Sequence, residues 1–260
     1  MLKNSPIWST MLDAWDLFCD HPLPRALPTH TDSSDGGKLF NALHFLPLWG
    51  AAAGLAAVIL WKILYAVLPL NGAALLLALA IVAAGEFRCS GRALALSVTF
   101  LENISGGKKF AEAQTMRSAS LKDSSGVIPL LLAGGMLGGK FFAVWLTVRA
   151  GHSGVLGCAL VAALALEALL ASEPAAEGLP RSCEGARSEY ILMLSGFLLL
   201  FNLLALPLPT LLGCGASVVI GIWLFNSFLR SSGRITSDDI TMSGYFTELA
   251  VWFVTAVMIG

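Results

Sequence analysis

The chain has 260 residues, of which 56% are hydrophobic and 13% charged, with a formal net charge of −1. A soluble domain of this length carries about 25% charged residues, so the polar material is too scarce to coat a water-facing surface, and a mean hydropathy of +0.76 says the same. The charge balance offers no basic face for nucleic acid, and the five cysteines, at 19, 89, 158, 183 and 214, form no CxxC pair.

A membrane span needs about 20 mostly apolar residues at 1.5 Å rise each. The first forty residues hold Asp13, Asp16, Asp20, Asp32 and Asp35 and no apolar stretch of the kind a cleavable signal contains. The first predicted span therefore inserts later, over Ala42 to Leu68, and a turn follows at Pro69-Leu70-Asn71-Gly72. A short second run, Ala73 to Gly85, is predicted to continue as a broken or partly buried helix through Ala93-Leu94-Ala95-Leu96. The third span covers Val127 to Val148, the fourth Gly154 to Ala171 and the fifth Tyr190 to about Leu206, where Pro207 and Pro209 interrupt the chain. The sixth runs from Cys214 to Leu229 and the seventh from Phe246 to Gly260. The expected fold is thus all-α, a polytopic transmembrane helix bundle of about seven spans. It has an N-terminal segment 1–41, a membrane domain 42–260, and polar loops at 86–125, 172–189 and 230–245.

All lysines and arginines fall in the N-terminal segment and these three loops, except Lys62 and Lys140 inside spans and Arg149 in an opposite-side loop. Seven alternating spans put the four charged segments on one side. The bias of basic residues toward the cytoplasm then predicts a cytoplasmic N-terminus, an external C-terminus and a multi-pass protein of a bacterial inner membrane.

Polar residues inside or beside the spans are the candidate functional groups. Lys140 is either a buried functional charge or a side chain reaching for the outer interface, and Lys62, nearer a helix end, is expected to reach the interface. Gly50, Gly54, Gly134, Gly135, Gly138 and Gly139 suit close helix packing or a cavity between helices. Ser105-Gly106-Gly107-Lys108-Lys109 is an ordinary solvated turn or a cradle for phosphate, without Walker spacing. Lys122-Asp123-Ser124-Ser125-Gly126 precedes the third span, either as a helix cap or as an anion or metal site. Thr236-Ser237-Asp238-Asp239 precedes the seventh, with Glu248 further along the same broad side. These carboxylates either favour the helix dipole or hold Mg²⁺ against a diphosphate.

The order of these landmarks resembles the cobalamin synthase family, adenosylcobinamide-GDP ribazoletransferase. Leu17-Phe18-Cys19-Asp20-His21-Pro22-Leu23-Pro24 is similar to its N-terminal Phe-Leu-Thr-Arg-Leu-Pro-x-Pro. His44-Phe45-Leu46-Pro47-Leu48-Trp49-Gly50, with Gly54, resembles Phe-Phe-Pro-Leu-Val-Gly-x-x-x-Gly. Leu121-Lys122-Asp123-Ser124 with Gly126-Val127-Ile128 resembles its Met-Lys-Asp-Ser element and the Gly-Val that follows. Lys140 matches a basic residue of that span, and Glu177-Gly178-Leu179 matches a Glu-Gly-Leu element. Gly233-Arg234-Ile235-Thr236-Ser237-Asp238 with Glu248 resembles Gly-Gly-x-Thr-Gly-Asp with a later Glu. The resemblance runs in order along nearly the whole chain, through elements that are individually short.

It implies a transferase that joins a ribazole nucleoside phosphate to a GDP-activated corrinoid with release of GMP. The implied cofactor is Mg²⁺. Taken with the residues read above, the candidate roles are catalysis for Asp123, Asp238 and Lys122, substrate or phosphate binding for Arg88, Arg92, Lys108, Arg117, Ser124 and Thr236, and metal binding for Asp238, Asp239 and Glu248. The implied partners are the lipid bilayer, a corrinoid nucleotide and a second copy or partner subunit. One departure is large. Where the family has His-x-Asp-Gly-x-Ala-Asp-x-x-Asp, this chain reads Arg88-Cys89-Ser90-Gly91-Arg92-Ala93-Leu94-Ala95-Leu96-Ser97, and every carboxylate is gone. Ala175 also replaces the arginine expected before the Glu-Gly-Leu element. The chain is either an impaired transferase or a non-catalytic relative that binds corrinoid, lipid or a partner subunit. A small transporter is the weaker alternative, since no inverted repeat is visible.

Overall fold

A computed structural model of the chain describes residues 6–19, 41–116, 126–173, 176–177, 186–203, 208–233 and 235–259. Among them the chain forms α1 (Pro6–Phe18), α2 (Ala42–Val67), α3 (Leu70–Arg88), α4 (Arg92–Ser105), α5 (Phe110–Met116) and α6 (Val127–Arg149). There follow α7 (Val155–Ala171), β1 (Ala176–Glu177), α8 (Ser188–Leu203), α9 (Leu208–Ser232), β2 (Ile235–Thr236) and α10 (Ser237–Ile259). The two short strands pair in parallel, Ala176 with Ile235 and Glu177 with Thr236.

Helices stand at all seven predicted stretches. Among the described residues four of them, α2, α3, α6 and α10, are long and apolar enough to cross a membrane. The apolar parts of α7, α8 and α9 are shorter; 17 residues of α7 reach only about 26 Å at 1.5 Å each, short of a hydrocarbon core of about 30 Å.

Polarity is inverted relative to a water-soluble protein. Leu55, Ile59, Ile63, Leu75, Leu79, Leu130, Leu131, Val219 and Ile222 lie exposed, while Arg88, Lys140, Glu167 and Glu248 are buried. A bundle whose outside is apolar and whose inside holds charge is suited to a lipid surround, where the hydrophobic effect works between protein and water but not between protein and acyl chains. The structure therefore has the character of a multi-pass membrane protein.

Several boundaries differ from expectation, among them the start of α9 at Leu208 rather than Cys214. The seventh helix starts at Ser237 rather than Phe246, because Thr236 and Asp239 form a reciprocal cap that nucleates it. The Thr236 N–H donates to Asp239 Oδ2 at 2.8 Å and the Asp239 N–H to Thr236 Oγ1 at 3.4 Å, the geometry of a capping box. Next, α3 continues to Arg88, which draws Glu86 and Arg88 out of the predicted loop and into a helix. The polar segments also contain helices that were not expected: α1 within 1–41 and α5 within 86–125. The expected buried helix beyond the break is α4, whose run Ala93 to Phe100 is entirely buried. The expected break between α3 and α4 is present, at Ser90 and Gly91, whose φ angles are 49° and 73°.

Helix directions follow from the core. Leu132, Ala133, Met136 and Leu137 of α6 cluster with Tyr245, Phe246 and Leu249 of α10, and Ala143, Val144 and Val148 cluster with Val251, Trp252 and Ala256. The two helices are therefore parallel. Against α6, α3 is antiparallel: Ala73, Ala74, Leu77 and Ala78 meet the Val144–Val148 end, whereas Gly85 meets Lys140. The end of α3 and the starts of α6 and α10 thus share one end of the bundle.

Glycine sets one crossing. A Cβ at Gly54 would stand 2.3 Å from the α-carbon of Gly157, so α2 and α7 touch backbone to backbone there. Gly50 approaches the Leu160 carbonyl in the same way, at 3.0 Å. Gly134, Gly135 and Gly138 differ: nothing lies within 4 Å of where their Cβ would be, so among the described residues they form an outward stripe rather than a packing seam.

Candidate functional site

The charged residues of the helices converge on one buried cluster. Lys140, thirteen residues into α6, neither snorkels nor faces lipid. It is 0% exposed, and its Nζ lies 3.0 Å from Glu248 Oε1 of α10. Trp252, one turn beyond Glu248, donates its indole N–H to the same oxygen at 3.4 Å. The ammonium also sits 5.2 Å from the centroid of the Tyr245 ring, a cation–π arrangement. It presses against the backbone of α3 where only glycine leaves room, since a Cβ at Gly85 would stand 2.9 Å from Nζ.

A second ion pair lies beside the first. Arg88, the last residue of α3, reaches Glu167 Oε1 of α7 at 3.4 Å, and both side chains are about 9% exposed. Again a glycine makes the place: a Cβ at Gly244 of α10 would stand 1.9 Å from Glu167 Oε1. Glu86, two residues before Arg88 on α3, lies beside the Tyr245 hydroxyl and Lys140. Two cations and three carboxylates from α3, α6, α7 and α10 therefore share one interior region. Isolated ionised groups in a low-dielectric interior are strongly unfavourable, and pairing lowers most of that cost.

The residues at the start of α10 form a separate constellation. Arg92 pairs with Asp238, 146 residues away, and both are about a third exposed. Asp239 is fully buried. Its Oδ2 accepts from the Thr236 N–H and hydroxyl, at 2.8 and 2.7 Å, and its Oδ1 from Gln114 Nε2 of α5 at 3.0 Å. Both oxygens are thus committed to holding the helix start and fixing α5 against it.

Of the residues singled out in the sequence, Lys122, Asp123, Ser124 and Arg117 lie outside the described residues. Arg92 and Asp238 are brought together, as are Thr236 and Asp239. Arg88 does not face a phosphate-accessible surface but points inward to Glu167. Lys108 folds onto its own turn, donating to Asn103 Oδ1 at 2.7 Å and meeting Met116 Sδ at 3.3 Å. The carboxylates proposed for a metal do not converge. Asp238 and Glu248 are ten residues apart on one helix, about 15 Å along its axis, and Glu248 is engaged by Lys140 and Trp252. Among the described residues no three His, Cys, Asp or Glu side chains stand close enough to hold a metal ion. The donor set therefore does not fit Mg²⁺. At the positions of the missing acidic run, Leu94 and Ser97 are buried core residues, and the Ser97 hydroxyl donates to the Ala93 carbonyl at 2.8 Å.

Glu167 and Tyr245 carried no sequence motif. The signal was a single glutamate within an otherwise apolar helix, which in lipid marks a paired or functional charge. No family model, curated protein or solved structure matches the chain.

Proposed function

We propose that the chain is a cobalamin-synthase-like protein of a bacterial inner membrane, with seven spans and a cytoplasmic N-terminus. In this reading it binds a GDP-activated corrinoid or related nucleotide at the cytoplasmic face and transfers its phosphocorrinoid part to the hydroxyl of a ribazole nucleoside phosphate, with release of GMP, slowly or not at all. The observation that carries the reading is a meeting of motifs at the start of α10. The strand Ala176–Glu177, from the segment similar to the Glu-Gly-Leu element, lies on Ile235–Thr236, and Arg92, the first residue of α4 in the segment that replaces the acidic run, pairs with Asp238. Separate segments that approach one another at a membrane face are where a substrate site of this kind would be assembled.

Slow turnover follows from the donors. Phosphoryl transfer relies on positioning and on neutralising charge at the diphosphate. Arginine cannot hold Mg²⁺, Arg88 is committed to Glu167, and Arg92 to Asp238. The same replacement favours a second reading, a non-catalytic relative that presents corrinoid or lipid to a partner subunit.

Complementation of a strain lacking its own cobalamin synthase, together with direct binding of GDP-activated corrinoid to the solubilised chain, tests the proposal. Binding with little or no growth is expected. Growth at the rate given by an active synthase would overturn the slow-turnover part, and absence of both growth and binding would overturn the family reading.

A further inference from the structure

We propose that His44 is a pH-operated latch: uncharged, it ties the entry of α8 to the start of α2, and protonation releases it. The observation is one hydrogen bond across 143 residues, in which the Arg187 N–H donates to His44 Nε2 at 3.2 Å. A backbone amide can only donate, so the ring nitrogen it reaches must keep its lone pair. The imidazole is therefore uncharged whenever this contact is made. In imidazolium both ring nitrogens carry protons, and Nε2 then turns an N–H toward the Arg187 N–H. Histidine is the side chain that ordinarily makes this change near neutral pH.

The setting suits the uncharged ring. His44 is 7% exposed and lies in the first turn of α2, where the Asn41 side chain caps the helix by accepting from the Leu43 N–H at 3.0 Å. Tyr190 meets the imidazole edge-on, at 5.5 Å between centroids, and the Arg187 guanidinium stands over the same Tyr190 ring at 5.8 Å. Leu43 and Leu46 cluster with Cys19, with Leu170 and Ala171 of α7 and with Ile191 of α8. Among the described residues, the other titratable groups that these elements carry to this end of α2 are Asp16 of α1, Cys19 after it, Glu173 beyond α7 and Glu189 of α8. Protonation thus exchanges a hydrogen bond for a donor facing a donor and sets a second cation beside Arg187.

The latch holds the connection between α7 and α8. That connection has another described anchor, β1, whose Ala176 and Glu177 pair with Ile235 and Thr236 ahead of α10. Acid is expected to free the α8 end and leave the β1 end in place. The inference stands apart from the corrinoid reading, because it rests on α2 and α8 alone.

The test is hydrogen–deuterium exchange of the full chain in detergent, read at the Arg187 amide by fragmentation of its peptide and corrected for the intrinsic pH dependence of exchange. Wild-type protection there is expected to fall about tenfold between about pH 8 and about pH 5, the effect of losing one hydrogen bond. Peptides from α6 and α10 are expected to keep theirs. His44→Gln offers an amide oxygen that accepts at every pH and is expected to remove the pH dependence. His44→Phe offers no acceptor and is expected to show in base the low protection that the wild type shows in acid. A wild-type amide equally protected at both pH values overturns the proposal without any variant. So does a loss shared equally by all peptides, which is acid unfolding. A His44→Gln chain that loses protection in parallel with the wild type, or a His44→Phe chain as protected as the wild type in base, overturns it as well. A pH response at Arg187 in a chain that binds no corrinoid leaves this inference in place and removes the other.

Discussion

Lys140 of α6 and Glu248 of α10 meet at 3.0 Å with their side chains 0% and 4% exposed. Their helices are parallel neighbours, so the pair acts as a bolt through the middle of the bundle. Removing one partner of such a pair leaves the other charge buried and uncompensated, at a cost of about 3–5 kcal/mol. Lys140→Met or Glu248→Leu alone is expected to lose that much, while the double variant recovers most of it because both desolvation penalties disappear together. Thermal unfolding in a mild detergent measures all four proteins. A single variant as stable as the wild type would contradict the ion pair's role.

Gly244 is the second pressure point. A methyl group there would stand 1.9 Å from Glu167 Oε1, whereas one at Gly221 would meet the Leu166 Cδ2 at 2.5 Å. The leucine end can rotate aside, but the carboxylate is tied to Arg88 and can move only by breaking that pair. Gly244→Ala is therefore expected to destabilise by about 3 kcal/mol or more, and Gly221→Ala by about 1–2 kcal/mol. Comparable unfolding midpoints for the two variants would show that Glu167 has an alternative position.

How much of this was legible in the sequence varies residue by residue. The apolar runs and the break before α4 were legible because periodicity and length are local properties of the chain. Lys140 stood out because a cation inside an apolar run is conspicuous. Glu248 reads in the sequence as a candidate metal ligand, but its pairing with Lys140 was not legible, because it depends on α6 and α10 being parallel neighbours. Arg88 and Glu167 are 79 residues apart, and a count of charges placed Arg88 in a loop, since one more turn of α3 cannot be read from hydropathy. Asp239 resembled a metal ligand and a cap equally well. Gln114, which decides the matter by occupying its second oxygen, sits on a seven-residue helix that no periodic signal announced. The glycines at 85 and 244, where a Cβ would clash, carry meaning only once the opposing side chain is known.

The start of α10 gives a third prediction. Thr236 caps the helix through Asp239, and Asp239 is shared with Gln114. Thr236→Val is expected to cost about 1 kcal/mol, the usual value of an N-cap, and Gln114→Leu a similar amount from one buried hydrogen bond. Combined with Asp239→Ala, neither should add its full effect, since all three remove parts of one network. Strict additivity in a double-variant cycle would separate the cap from the α5 contact.

The last prediction concerns orientation. The end of α3 and the starts of α6 and α10 lie at one end of the bundle, and Arg88 and Arg92 stand there, along with Arg230 at the end of α9. At the far end, Arg149 covers the Trp145 ring at 5.1 Å, and Trp61 stacks on Tyr65 at 5.4 Å, the aromatic and basic anchoring usual at a membrane interface. Basic residues thus concentrate at the first end, which the bias of loop charge assigns to the cytoplasm. Because α10 begins at that end and runs away from it, a reporter fused after Ile259 is expected outside, and one inserted at Gly106-Gly107, in the turn between α4 and α5, inside. Paired phosphatase and fluorescent-protein fusions read both positions. Phosphatase activity from the Gly106-Gly107 insertion, or fluorescence from the C-terminal fusion, would reverse the assignment and place the Arg92–Asp238 constellation on the wrong face for a cytoplasmic nucleotide.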